Sequence, residues 1–598
     1  MTTAACASTG IVLATLLEID GTAAPADHQI ISLESWSSLN RVGRAKVVVQ
    51  DDTTSGQHFV ISSSSVYVPG AKVKISLGSD GKTNLVFSGI IISHGIEFGV
   101  GLNPRIVVEL ADPAIAMTAG RHSAFFADVT DSQLMEQLLS AYNLQGKVSS
   151  TSTKHPAVVQ HGCTDWDLML MRADVNGMVV ACQQDGISIS VPNTKDTACL
   201  ELIYGKSIQE AYLYLDASSQ LSAAAVQALA WDPANLSVMR SSEATANVEE
   251  LGNLSSRQLA AVLACKQDVK QTAAALPAEE LNRWSAVTLQ RHQLAKVRGK
   301  LRCAGTAAAQ VGSTVKLTGL GDRFNGNAYI SAVYHRVQAG EWTTELEIGV
   351  SPEPYAVSTA NISAPPAAGL LPAAGLIQIG LVSKIADDPD QQYRLQIQLP
   401  LVEKDTALIW ARCAQPYASA ECGFQFLPEV GDEVLVAFMD ADPRFPVVLG
   451  SLYSKSHAPA QAPKAENTLK SLVTKSKLRL DFDDDTKAIK LTTPAKQMLT
   501  IDDKAKLLKL EDCNGNCISL TDSGISIKAK GDIKLDASGA IQLSANSNLT
   551  AKGGAKLSLS APQGEFNADT QLTLKGGAEA KLTAGASVVV QAALVRIN

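Results

Sequence analysis

Between Ile525 and Leu559 apolar residues return every eight positions, at Ile525, Ile533, Ile541, Leu549 and Leu557. A second column follows two residues on, at Ile527, Leu535, Leu543, Ala551 and Leu559. Strand side chains alternate, so residues two apart share a face, and Ser526, Lys534, Gln542, Thr550 and Ser558 take the other. A third column is small (Ala529, Ala537, Ala545, Gly553, Ala561), and Gly531, Gly539 and Ser547 near it mark a bend before the next strand. The spacing slips once to seven, at Gly564/Phe566, then resumes in eights at Leu572/Leu574, Ala580/Leu582 and Val588/Val590. Repetition this regular predicts stacked, quasi-one-dimensional β-structure.

Such an octad is not self-sufficient, because its strand has one apolar face and two unpaired edges that must be covered. Phe566 is the only aromatic residue after Phe482, too little to fill a wide core. A narrow prism built by strands of several chains meets both demands, and a monomeric β-solenoid is the alternative.

At 598 residues the chain holds several domains. A net charge of -8 argues against a general nucleic-acid binder, which would show a basic face. The apolar run Ile11–Leu17 is short, with no Lys or Arg before it, so it reads as a first strand and not as a secretory signal. Ala367–Val382 is the nearest approach to a membrane span, and Pro372 and several glycines break it. A chain made in the cytoplasm, and carried out by other machinery, is expected. Ten cysteines share no spacing and read as buried thiols. In Cys513-Asn514-Gly515-Asn516-Cys517 the Asn-Gly marks a hairpin turn, and the flanking thiols could bridge or join a soft-metal site.

Short strand-like runs fill the first 130 residues (Lys46–Val49, Lys72–Leu77, Leu85–Ile92, Arg105–Leu110). Thr130 caps a helix with Leu134, Leu138 and Leu139 on one face, and a second begins at Thr164, runs Asp165–Val175 and ends at Asn176-Gly177. Strands return at Ile187–Val191 and Tyr212–Leu215. A helix is predicted over Pro277–Arg298, with Leu281, Trp284, Val287 and Leu294 as its apolar stripe and Arg291, Lys296 and Arg298 at its basic end. Strands resume from Leu301 to Val350. Ser351–Ala374 is Pro/Ala-rich and reads as a linker, and Ser454–Ser476 as a polar connector. Between them a compact β-domain has strands near Leu376–Ser383, Tyr393–Leu399, Ala407–Ala414 and Asp432–Phe438.

No motif supplies catalysis. Gly319-Leu320-Gly321-Asp322-Arg323-Phe324-Asn325-Gly326 lacks dinucleotide-loop spacing and a following helix, so it is a turn. Gly81-Lys82-Thr83 and Gly205-Lys206-Ser207 imitate the end of a phosphate loop, but Ser76 and Leu200 replace its first glycine. The histidines, His155 and His161 included, form no metal-binding pair, and no Gly-x-Ser-x-Gly elbow occurs. Asp481, Asp483, Asp484 and Asp485 lack the glycine and terminal Glu of a calcium loop and read as a solvated turn. No catalytic residue, metal ligand or cofactor is expected.

The compact β-domain carries a resemblance. Leu408-Ile409-Trp410-Ala411-Arg412, then Pro428-Glu429-Val430-Gly431-Asp432-Glu433-Val434, Asp442-Pro443 and Pro446 to Tyr453 with Gly450, closely resemble the OB-fold domain of VgrG spike proteins. Cys163-Thr164-Asp165-Trp166-Asp167, Arg172-Ala173, Asn176-Gly177, Gln220, Trp231-Asp232-Pro233, Val297-Arg298-Gly299, Arg323-Phe324-Asn325-Gly326 and His335 look like that family's hub.

The resemblance implies a mainly β homotrimer, a fused hub and spike of a contractile injection system: type VI secretion, extracellular phage-tail-like particles or phage tails. By it, residues 1–130 are a first hub β-barrel, 131–200 an α/β hub segment, 201–350 a second barrel with a helical insertion, and 351–374 a linker. Residues 375–453 are an OB-fold collar (Trp410, Pro428, Gly431, Asp432, Asp442, Pro443, Gly450), 454–476 a connector and 477–598 an intertwined triple-stranded β-helix. Ile525, Ile527, Ile533, Leu535, Ile541, Leu543, Leu549, Leu557 and Leu559 form the trimer core. Val590, Leu594, Val595, Ile597 and Asn598 dock a PAAR-type tip. The inner tube or its adaptor, baseplate proteins and cargo effectors are the other implied partners, with no nucleic acid among them.

Two departures point to a non-enzymatic spike. The connector is too short for the lysozyme that phage relatives carry, and the sequence stops at Val595-Arg596-Ile597-Asn598, still in strand pattern. Assembly in the bacterial cytoplasm and delivery to the extracellular space or a target envelope are expected. If each octad adds a strand step of about 4.8 Å, the nine from Ile525 span roughly 40 Å, enough for a hydrocarbon core of about 30 Å. A trimeric tail fibre or adhesin, and a spike with envelope-degrading activity, are the competing readings.

Overall fold

Lys72–Ser79 shows how the first half of the chain folds: its alternation turns Val73, Ile75 and Leu77 inward, each at most 2% exposed. The computed structural model describes residues 13–51, 58–79, 81–100, 102–184, 186–223, 225–402 and 407–597. The expected first strand runs Leu13–Ile19, and Ile11 lies outside the described residues. The chain divides into two compact units, Met1–Leu452 and Tyr453–Asn598.

In the first unit, Leu33, Val47, Ile75, Leu77, Ile106 and Leu110 centre one core, and Leu202, Leu301, Val315, Ile330 and Leu346 a second. The two strand groups are not separate sheets. Gly326–Gln338, thirteen residues long, pairs with Glu341–Ile348 on one side and Ile30–Ser38 on the other, joining them into one thirteen-stranded sheet.

Helices Asp131–Ala141 and Asp165–Val175 begin where the sequence predicts. Thr130 closes a capping box with Gln133, and Thr164 Oγ1 accepts the Asp167 N–H. The second stops before Gly177, whose φ of 68° suits glycine. Leu134, Met135, Met169 and Leu170, all at most 2% exposed, hold the pair together.

The later helix is shorter than expected, Ala278–Leu294. Lys296 lies beyond it, buried, with Nζ donating to Glu250 Oε2 at 2.8 Å and to the Leu254 carbonyl at 2.7 Å. Arg298 belongs to the strand Val297–Ala304 and lies over the Tyr214 ring, 5.3 Å from its centre. Their charge serves tertiary partners, so it mimicked a basic helix end. The linker stretch Ser351–Ala374 is tied to its surroundings: Tyr355 Oη donates to Asp167 at 2.7 Å, and the Ala364 N–H donates to the Gly162 carbonyl at 2.7 Å.

Gln378–Lys384, Leu395–Gln398, Leu408–Cys413, Glu433–Phe438 and Pro446–Ser451 close into a barrel, sealed by the parallel pair Arg412/Val447. Closure leaves no free edge. Val382, Leu395, Ile397, Ala411, Val434, Val436 and Val448 fill it. The chain is thus mainly β, with few helices and a five-stranded barrel.

The second unit opens with a seven-stranded antiparallel meander from Leu469–Val473 to Gly524–Lys528. Its first strand falls inside the stretch read as connector, because Leu472 and Val473 have cross-strand partners in Leu480 and Arg479. From 531 to 597 no regular strand pairing occurs among the described residues, and the backbone bends recur at the octad spacing.

Ile397 is fully buried, so Ile397→Ala should leave a cavity costing about 2–5 kcal/mol. A lower denaturant midpoint for the barrel transition, with its slope unchanged, is the expected result.

Candidate functional site: polar networks and an uncovered apolar face

Hub motif residues converge on two buried carboxylates. Asp131, 1% exposed, accepts Arg172 Nε at 2.6 Å and Nη2 at 2.9 Å, Asn176 Nδ2 at 2.7 Å and His155 Nε2 at 3.3 Å. Burial pushes its pKa up, but the Arg172 bonds and charge, Asn176 and His155 outweigh this and hold it below its ordinary value. Arg283 extends the network, donating to Asn176 Oδ1 at 2.8 Å, Thr153 Oγ1 at 2.8 Å and Glu279 at 2.9 Å. Asp165 accepts Tyr142 Oη at 2.7 Å, Gln160 Nε2 at 2.9 Å and His122 Nε2 at 3.2 Å; its hydrogen bond and burial raise the Tyr142 pKa to about 12. These carboxylates are saturated by donors and tie helices to strands.

The other hub motif residues have similar tasks. Gln220, fully buried, donates to the His292 carbonyl at 2.6 Å, and Asp232 accepts the turn N–H groups of Ala234 and Asn235. Asn325 Oδ1 accepts the Leu320 N–H at 2.8 Å, fixing the glycine-rich stretch as a turn. His335 Nδ1 lies 3.0 Å from Thr344 Oγ1, and burial lowers its pKa to about 4, so it is neutral. It lines a cavity of about 310 Å³ with Asp112, Cys182 and Gln310. Burial raises the pKa of both Asp112 and the Cys182 thiol, which disfavours charge on this wall.

One pairing had no sequence signal. Ser62 Oγ and His94 Nε2 are 2.8 Å apart, and His94 Nδ1 is 2.8 Å from the Tyr67 carbonyl. This resembles a nucleophile–base pair. However, Asp51 accepts the Ser62 N–H at 2.8 Å and the Ile61 N–H at 3.1 Å, taking up amides that an oxyanion would need and adding negative charge.

The collar residues make the turns of the closed barrel. Gly431 has φ 94°, and its N–H donates to the Val382 carbonyl while Asp432 Oδ2 accepts the Glu429 N–H at 2.9 Å. Pro428 leads into this turn. Asp442, 6% exposed, accepts the Arg444 N–H and its guanidinium, and Pro443 completes that turn. Trp410 lies opposite Gln396, and Gly450 opposite Leu435 at a bulge.

In the second unit, polar groups pair locally. Arg479 holds Asp481 at 2.6 Å, Lys470 pairs with Asp484, and Asp483 accepts the Asp485 N–H. No metal-binding group of His, Cys, Asp or Glu occurs among the described residues. Cys513 and Cys517 are free thiols, and Asp512 holds their turn by accepting the Asn514 and Asn516 N–H groups.

The meander is strongly two-faced. One cross-strand ladder reads Leu472, Leu480, Leu491, Leu499, Leu510, Ile518, Ile527, and a second Phe482, Ile489, Ile501, Leu508, Leu520, Ile525. The opposite face carries Ser471, Asp481, Lys490, Thr500, Lys509, Ser519 and Ser526. Among the described residues nothing covers the apolar face: Leu491 is 49% exposed and Leu510 53%. Both ladders run into the octad columns, where Ile525, Ile527, Ile533, Leu535, Ile541, Leu543, Leu549, Leu557 and Leu559 are 53–74% exposed. Val590, Leu594, Val595 and Ile597 are exposed too, and Asn598 lies outside the described residues.

Two family models match the chain: the Alg8 N-terminal domain over residues 9–339, and the type VI secretion system/phage-baseplate injector OB domain over 378–453. Among curated relatives, the spike protein VgrG2a of Pseudomonas aeruginosa is 31% identical over 109 residues, 17% of this chain and 13% of the relative. VgrG3 of Vibrio cholerae is 41% identical over 56 residues, 9% of this chain and 5% of the relative. The chain thus spans only a small part of the length of the curated relatives it matches. Similar solved structures include the prophage MuSo2 43 kDa tail protein of Shewanella oneidensis, with TM-score 0.43, 12% identity and coverage of 57% of this chain and 98% of that one. An Escherichia coli type VI secretion component, described as similar to the T4 tail proteins gp27 and gp5, has TM-score 0.38, 13% identity and coverage of 73% and 99%.

The matched injector OB domain and the VgrG segments make the chain similar to VgrG-type spike proteins. More than half of its length matches one family model, and the chain belongs to the Alg8 N-terminal domain family.

Arg172→Ala would strand the buried Asp131 charge and cost about 3–5 kcal/mol. Because the folded pKa of Asp131 is depressed, its contribution is present at neutral pH and lost as pH falls below about 4. Thermal unfolding across that range should show a smaller acid-induced loss in the variant than in the native chain.

Proposed function

We propose that the protein is the central structural spike of a contractile injection machine, acting as a homotrimer. One observation carries this reading: residues 531–597 form no intrachain backbone ladder, yet hold a regular bend and an apolar face that no described residue covers. A β-strand whose N–H and C=O groups have no partner in its own chain is completed by other chains. The aromatic-poor columns favour a narrow core, and three strands per level supply one.

In this reading the hub segments (1–130, 131–200, 201–350) start the inner tube, the collar is 375–453, and the shaft 477–598 is a triple-stranded β-prism. Val590, Leu594, Val595 and Ile597, with Asn598, form the apolar end that a PAAR-type tip covers. The function is mechanical: sheath contraction drives the shaft into a target envelope, with no reaction catalysed. The saturated carboxylates of the hub and the occupied amides beside Ser62 support a non-enzymatic role. No described helix is long and apolar enough to cross a membrane, and delivery as part of the particle needs none.

Light scattering on the full chain should give three times the 62.9 kDa of one protomer; a monomer would refute the reading. Deleting Leu594–Asn598 should abolish PAAR binding in a pull-down while that mass per chain is kept threefold, and unchanged binding would move the docking site elsewhere.

A further inference from the structure

The octads raise a problem of register that the chain itself answers. Backbone bends fall at Lys530-Gly531, Ser538-Gly539, Asn546-Ser547, Gly554-Ala555 and Pro562-Gln563, then at Asp569-Thr570, Gly577-Ala578 and Gly585-Ala586. Every step is eight residues except the one after Pro562-Gln563, which is seven. The missing residue can be located. One residue separates each other bend from the next first-column position, as Lys556 does before Leu557 and Gln571 before Leu572, whereas Gly564 follows Gln563 directly.

Uniform octads cannot distinguish neighbours that are level from neighbours displaced by one repeat. A chain shifted by eight residues still sets Ile533 beside Ile541, and Leu535 beside Leu543, so apolar meets apolar throughout. Register is weakly specified in such a repeat. The meander fixes the near end of the shaft by strand pairing up to Lys528, and beyond the Lys530 N–H, which donates to Asn516 Oδ1 at 2.8 Å, no strand pairing occurs among the described residues.

We infer that the seven-residue repeat 557–563 is a register key for self-association, admitting a second copy of this chain as neighbour at one alignment only. The inference rests on the multichain shaft proposed above. In a displaced chain the short repeat lies beside eight-residue repeats. Either a backbone bulges at two levels, or the residues after the key are out of step by one and turn their apolar face outward. The residues after the key add a size match. Gly564 occupies a first-column position otherwise filled by larger residues, beside Phe566, the only aromatic after Phe482. When all copies are level, glycines and phenylalanines share one layer, and the room the first leave is taken by the second. A displaced copy sets Phe566 against Leu574 or Leu559 layers that lack this space.

The test uses the full chain with one serine inserted after Gln563, restoring a uniform octad. Register is read by co-expressing chains carrying Ala584→Cys and Ala592→Cys, one repeat apart in the small column, and mapping disulfide-linked peptides by mass spectrometry. With the native repeat, only 584–584 and 592–592 links are expected; the insertion should add 584–592 links. Like-to-like links alone in the insertion chain would overturn the key, as would mixed links in the native background. Should the insertion chain fail to assemble, deletion of 557–563 leaves every remaining repeat at eight and must give the mixed links. A monomer by light scattering would instead remove the multichain shaft itself, which separates the two failures.

Discussion

Backbone hydrogen bonding is the constraint on which the structure turns. An extended strand presents donors and acceptors on both edges, and the molecule meets this demand in three ways. The OB barrel closes five strands on themselves, so each edge is consumed within about 75 residues of local sequence. The large sheet uses length: Gly326–Gln338 is long enough to serve two neighbours and joins two cores through one sheet. The meander pairs each strand with the next through short turns and still leaves one apolar face open. Beyond Lys528 none of these solutions operates, and completion passes to other chains in the function proposed here.

The polar groups follow a related logic. Buried carboxylates in the hub are surrounded by donors from distant parts of the chain, with Asp131 drawing on Arg172 and Asn176, and Asp165 on Tyr142, Gln160 and His122. A buried charge without such partners is strongly unfavourable, so these contacts make the docking of helices on strands specific as well as stable. Tyr355 and Ala364 extend the same stitching into the stretch that leads to the collar.

Much of this was legible in the residues. Thr130 and Thr164 announced their helices because capping is a local interaction between neighbours. The octads, and the single seven-residue step, returned as bends in the same phase because strand alternation is dictated by nearest-neighbour geometry. What was missed involved partners far apart in sequence. Lys296 and Arg298 looked like a basic helix end until Glu250 and Tyr214 were seen beside them. Ser351–Ala374 read only as a linker, because its proline and alanine content gives no sign of the hydrogen bonds to Gly162 and Asp167. The Ser62–His94 pair, thirty-two residues apart, has no local pattern.

The sequence by itself determined the periodicities: where strands alternate, where helices begin, which turns require glycine, and that the last quarter repeats in eights with one exception. These depend on contacts within a few residues. Tertiary structure decided which edges meet, which charges are buried together, and that the apolar columns have no cover among the described residues. Those outcomes depend on sums over groups brought together from distant positions in the sequence.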